Sequence, residues 1–179
     1  MITYIALLRG INVSGQKKVP MAELRKLLTE NRLKNVQTYI QSENVIFQSF
    51  DEDKSALETI IHDAIRSHFG FDVPVLVLTP LELKQIFNGS PFLQSEKEKS
   101  YFMFLYEKPE ENLIKEVSQL NYPNEAFKIT DNSIYFYCST GYGKAKCSNN
   151  FFERKLKVTA TARNYKTMLK LLSLTSQLN

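Results

Sequence analysis

Three stretches of this 179-residue chain carry residues able to bind an anion. The first is Arg9, Asn12, Lys17 and Lys18, which follow the apolar run Ile5-Ala6-Leu7-Leu8 and have Gly10 and Gly15 among them. An apolar run of this kind reads as a strand covered on both faces, and polar groups just past its carboxyl end are where ligands tend to sit. Guanidinium, ammonium and amide donors suit a phosphate or a carboxylate, and the glycines let the backbone approach it. Paired to an acid such as Glu43, the same residues are only a basic surface loop. The second stretch, Ser139-Thr140-Gly141-Tyr142-Gly143-Lys144-Ala145-Lys146, offers backbone N–H groups and two ammoniums, without the spacing of a Walker loop. Its plainer reading is a glycine-rich turn with solvated lysines. The third, Thr161-Ala162-Arg163-Asn164-Tyr165-Lys166-Thr167, is expected to open the last helix, where Arg163 and Lys166 join free N–H groups. Capping by Thr161 or Asn164 explains part of it without a ligand, and an arginine there opposes the helix dipole.

Residues for acid–base or nucleophilic chemistry are sparse. His62 and His68 lie six apart on one helix, the wrong spacing for a metal pair, and neither H-E-x-x-H nor G-x-S-x-G occurs. Asp51, Glu52 and Asp53 read as a loop before a helix. Glu23, Glu43 or a tyrosine would have to serve as a base, and each has an easier structural explanation. Cys138 and Cys147 lack the partners of a zinc site and read as reduced structural thiols, so neither a metal nor a cofactor is expected. The net charge of +4 is too small to mark a nucleic-acid-binding domain, and with 43% hydrophobic residues the chain has the balance of a globular protein. No window reaches the roughly 18–20 apolar residues of a membrane span, and no secretory leader is recognisable, so a cytoplasmic location is expected.

The elements that must position these residues follow from periodicity. The strand at Ile5 leads to a helix from Pro20 through Glu30, with Met21, Leu24, Leu27 and Leu28 on one face. Val36–Ile40 and Val45–Phe47 flank the turn Ser42-Glu43-Asn44 as a hairpin. A helix capped at Ser55, with Glu58 completing a capping box, runs to a stop at Gly70, and Val73–Leu78 is a further strand. This β-α-β-β-α-β order is the split βαβ or ferredoxin-like arrangement. Thr79-Pro80-Leu81-Glu82 opens a short connecting helix. A second series has strands at Tyr101–Tyr106, Ala126–Ile129 and Ser133–Cys138, a helix after Pro109, a helix from Ser148 through Leu156, and a final helix. The fold class predicted is α+β, with two ferredoxin-like (α/β-plait) units in tandem, the second having its last strand replaced by C-terminal helices. The domains are residues 1–79 and 100–179, joined by a connecting helix and loop over 80–99.

Residue identities add a resemblance. Ala6-Leu7-Leu8-Arg9-Gly10-Ile11-Asn12-Val13, Val19-Pro20-Met21-Ala22-Glu23-Leu24, Thr38-Tyr39-Ile40-Gln41-Ser42, Phe71-Asp72-Val73-Pro74-Val75 and Ala162-Arg163-Asn164 together resemble the uncharacterised bacterial family catalogued as domain of unknown function 1697. The resemblance implies two α/β-plait units and brings no established activity. It singles out Arg9, Gly10 and Asn12, then Gln41, Ser42 and Asn44, then Arg163, Asn164 and Thr167. This chain departs from the family pattern at Glu43, where a glycine is usual, and at Tyr165, where tryptophan is common.

The function expected is binding of a phosphorylated or carboxylated small molecule between the two units through Arg9, Asn12, Lys18, Ser42, Lys144, Arg163 and Asn164. Two alternatives stay open. One is single-stranded nucleic acid on a sheet face, with Tyr4, Tyr39 and Phe47 or Tyr135 and Tyr137 as stacking rings. The other is an enzyme of unidentified reaction.

Overall fold

The computed structural model describes residues 1–13, 15–39 and 43–178. It is a mixed α+β protein with two four-stranded antiparallel sheets and, among the described residues, seven α-helices. The chain divides into two compact units, Met1–Lys84 with Lys170–Asn179, and Gln85–Leu169.

The first unit holds β1 (Ile2–Leu8), α1 (Met21–Glu30), β2 (Lys34–Tyr39), β3 (Asn44–Ser49), α2 (Lys54–Phe69) and β4 (Val75–Leu78), in the sheet order β2-β3-β1-β4. Side chains of a strand alternate between faces, so Tyr4, Ala6 and Leu8 join Val45 and Phe47 under the apolar stripes of α1 and α2, where Leu24, Leu28, Leu57, Ile61 and Ile65 close one core. Ile5, Leu7 and Ile46 point the other way and are also fully buried, which is why β1 reads as an unbroken apolar run. Gln48 on that second face donates to the Leu178 carbonyl at 2.8 Å, tying the C-terminal segment to β3.

Caps explain where α2 begins and ends. Its N-cap is Asp53, whose carboxylate accepts from Ser55 N at 2.9 Å, and not Ser55. The Glu58 expected in a capping box instead accepts from Val77 N at 2.8 Å, satisfying an amide on edge strand β4. Gly70 ends the helix at φ 79°.

The chain passes from the first unit to the second within α3 (Pro80–Asn88), and α4 (Gln94–Lys97) lies in the second. Thr79 and Glu82 form the reciprocal cap of α3, with Thr79 N donating to Glu82 at 2.8 Å and Glu82 N donating to Thr79 at 3.2 Å. Then come β5 (Tyr101–Leu105), α5 (Glu111–Ser118), β6 (Glu125–Ile129), β7 (Ser133–Cys138), α6 (Asn149–Leu156) and β8 (Ala160–Asn164), in the sheet order β6-β7-β5-β8, and α7 (Tyr165–Ser176), which returns to the first unit from Lys170 on. Met103, Leu105, Ile134, Phe136 and Cys138 face α5 and α6 across a core containing Phe151, Phe152 and Leu156.

The structure departs from the sequence expectation at the end of this unit. The last strand of this unit is present: β8 pairs antiparallel with β5 from Leu105↔Ala160 to Tyr101↔Asn164, so residues 160–164 are strand and the final helix starts at Tyr165. Alanine and arginine favour helix locally, and the open edge of β5 overrides that preference.

Candidate functional site

In the first unit the loop between β1 and α1 folds back on itself. Gly10 and Gly15 adopt φ 73° and 76°, and Asn12 and Lys17 take the same left-handed region at 53° and 45°. Asn12 N donates to Lys17 O at 3.1 Å, and Gln16 N to Val13 O at 3.0 Å. The Asn12 side chain closes the loop: Nδ2 donates to Val19 O at 3.0 Å and Oδ1 accepts from Val19 N at 2.8 Å. Asparagine tolerates positive φ and its amide imitates a backbone partner, so Asn12 positions the loop. Lys17 is committed elsewhere, donating from Nζ to Asp72 O at 2.6 Å with its ammonium 5.7 Å from the centre of the Phe71 ring.

The loop delivers the chain to α1, whose N-cap is Pro20, and among the described residues no side chain caps it. The first helical hydrogen bond runs from Leu24 N to Pro20 O at 2.9 Å, so the amides of Met21, Ala22 and Glu23 precede the helical ladder. Asn12, Gly15, Lys18, Val19, Pro20 and Met21 line a cavity of about 400 Å³ at this end. An uncapped helix start, a cavity and an exposed lysine are suited to an anion. The one acid in the first turn, Glu23, pairs with His68 Nε2 at 2.6 Å. Arg9 lies half-buried just past β1, and its backbone N donates to Pro74 O at 3.2 Å. Ser42 and Gln41 lie outside the described residues.

Unit 2 distributes its expected residues over separate elements. Lys144 is exposed at the end of a 3₁₀ turn, Tyr142–Lys144. Arg163 sits inside β8 opposite Phe102, only 4% exposed, and its Nη1 donates to Thr161 Oγ1 at 2.7 Å and Ala162 O at 2.8 Å. The expected conflict with the dipole of α7 therefore does not arise. Asn164 caps α7, accepting from Thr167 N at 2.9 Å, and with Lys99, Tyr101 and Lys166 lines a cavity of about 240 Å³.

The glycine-rich stretch already presents backbone amides to an anion, and that anion is Glu125. Its carboxylate accepts from Lys146 N at 2.7 Å and Cys147 N at 2.9 Å. Burial alone would raise this carboxyl, but those bonds and the Cys147 thiol hold it below the ordinary range. Burial and the adjoining carboxylate push the Cys147 thiol up to about 12.

Sequence spacing gave the histidines no role beyond solvation. His62 has Nδ1 2.9 Å from Asp63 and Nε2 3.2 Å from Asp72. His68 lines, with Leu27, Asn31, Ile60 and Asp63, a groove of about 480 Å³ between α1 and α2. The pairing joins residues 45 apart, which helical spacing does not reveal. Of the rings considered for stacking, Tyr4 and Phe47 are in the core at 2% and 0% exposure and offer no face to a base. Among the described residues no helix is long and apolar enough to cross a membrane, and no cluster of three or more His, Cys, Asp or Glu side chains could hold a metal.

Comparison with known structures finds the conserved bacterial protein SP0830 from Streptococcus pneumoniae, 27% identical, with a TM-score of 0.75 over 97% of this chain and 98% of that one. No curated protein matches. Residues 1–135 match the family described as Protein of unknown function (DUF1697), a span covering the loop, α1 and the whole first sheet, and the chain belongs to that family.

Proposed function

We propose that the first unit binds a phosphorylated or carboxylated small molecule at the start of α1. The observation that carries this reading is the uncapped helix end meeting Lys18 around a cavity of about 400 Å³. Free amides and the positive end of the helix dipole favour an anion, and Lys18 adds a full charge within the same lining. Asn12 fixes the loop that carries Lys18, and Arg9 lies at its entry. The reading is of a ligand-binding protein: among the described residues lining this cavity, Lys18 is the one ionisable side chain.

Both units are read as ferredoxin-like plaits in tandem. In support, β2-β3-β1-β4 and β6-β7-β5-β8 are one connectivity repeated, each with two helices packed on one face. The free, buried thiols Cys138 and Cys147 favour a reducing, cytoplasmic setting.

Thermal shift with inorganic phosphate, pyrophosphate and acetate, against chloride at matched ionic strength, tests the site. Phosphate is expected to raise the Tm of the wild type and not of Lys18→Glu, an exposed substitution that leaves the core untouched. Equal responses would remove Lys18 and the α1 end from the site.

A further inference from the structure

The carboxylate found against the glycine-rich loop leads to an inference independent of the α1 site. We infer that Glu125 is an internal latch: its carboxylate fills the anion position made by the Lys146 and Cys147 amides, and so fastens the 139–147 loop and masks the Cys147 thiol.

The geometry is one oxygen to each amide, Oε1 to Lys146 N at 2.7 Å and Oε2 to Cys147 N at 2.9 Å. The same carboxylate, with burial, raises the Cys147 thiol, so the backbone amide and the side chain of one residue both respond to Glu125. Glu125 is the first residue of β6, the edge strand, and lies directly opposite Cys138 of β7. The ionisable groups facing it are Lys146 and Cys147 from the loop and Cys138 across the strand pair. On its other side the loop is pinned by Tyr142, whose ring stacks on Tyr101 with centroids 4.1 Å apart and whose hydroxyl accepts from Asn149 N at 3.1 Å. Lys146 is exposed and brings positive charge to the carboxylate, and Cys147 is fully buried. Charge-assisted hydrogen bonds to successive amides are what orders a segment in an anion-binding nest. Here the anion belongs to the chain. Releasing it leaves two amides without their acceptor and uncovers the thiol, with no change required in β5, β7 or α6.

The test is alkylation of the native protein by iodoacetamide near neutral pH, with labelling at Cys147 and Cys138 resolved by peptide mass spectrometry. Glu125→Gln, which keeps the shape and removes the charge, is expected to raise the Cys147 labelling rate at least tenfold over wild type. An unchanged rate in a folded variant would mean that apolar burial alone masks the thiol and would overturn the latch. Should the variant fail to fold, amide hydrogen exchange of the wild type decides. A carboxyl held below its ordinary range keeps its bonds at neutral pH and loses them as pH falls through the lowered value. Corrected for intrinsic rates, protection of the Lys146 and Cys147 amides relative to Phe152 in α6 is then expected to fall at least tenfold on acidification. A constant ratio would reject the latch.

Discussion

Pro20→Asp separates the two things the start of α1 can do. An aspartate there would supply from within the chain the anion that the site is proposed to take from solution. Position 20 has φ −65° and ψ 133°, extended backbone that an N-cap residue adopts without strain. A capping aspartate adds about 1 kcal/mol of stability, and removing the proline restraint on the unfolded chain gives back about 0.4–1 kcal/mol. The ligand-free variant should therefore melt close to wild type. Binding should change far more, because the new carboxylate takes one amide and repels the incoming charge. Loss of one hydrogen bond to a charged group, about 1.5–3 kcal/mol, weakens binding at least tenfold. With phosphate at ten times its wild-type Kd, stabilisation falls from about 1.4 to about 0.4 kcal/mol. In a melting curve this is a shift of roughly 3–6 °C reduced to roughly 1–2 °C. Thermal shift across a phosphate titration reads it directly. A Pro20→Asp protein that responds like wild type would refute the reasoning.

Other consequences concern the scaffold. Burial by itself raises the Glu82 carboxyl, and hydrogen bonds from Lys54 and Thr79 overcome this and leave it below the ordinary range. Its contribution is thus present above the unfolded-state value and is lost as pH falls through the lowered one. Glu82→Ala should cost about 1 kcal/mol through the lost cap, with little added by the half-exposed Lys54 pair, and the difference from wild type should vanish in acid denaturation curves. Gly70→Ala places its Cβ in open space at φ +79°, so only backbone strain of about 1 kcal/mol is expected. Gly89→Ala sets a Cβ 2.6 Å from the Tyr135 hydroxyl and should perturb that ring in NMR spectra, whereas Gly70→Ala should not. Phe152→Ala, emptying a fully buried position in the second core, should lower stability by about 3–5 kcal/mol in urea denaturation.

What the sequence revealed follows the range of the interactions involved. The first unit was readable because its signals are local: the apolar run of β1, the helical stripe from Met21 to Leu28, the Gly70 stop and the Thr79–Glu82 cap all act within a few residues. Asp53 and Ser55 both satisfy the local capping pattern, and Asp53 becomes the cap while Glu58 goes to the edge amide of Val77. β8 is not legible locally, because Ala160–Asn164 carries no strand periodicity of its own and becomes a strand by pairing with β5. The candidate site was legible as a loop but not in its division of labour. Spacing cannot say that Asn12 braces Val19, that Lys17 reaches Asp72, or that Arg163 turns back on Thr161. It also cannot find Glu125, whose amide partners lie more than 20 residues away.

The central claim is that the open amides of α1 receive an anion, and a two-dimensional amide NMR titration of the full chain with inorganic phosphate addresses it most directly. Saturating shifts at Met21, Ala22 and Glu23, accompanied by Lys18 and absent with chloride at equal ionic strength, are the result predicted. Amides at the start of α1 that stay fixed while phosphate shifts others, or none, would contradict it.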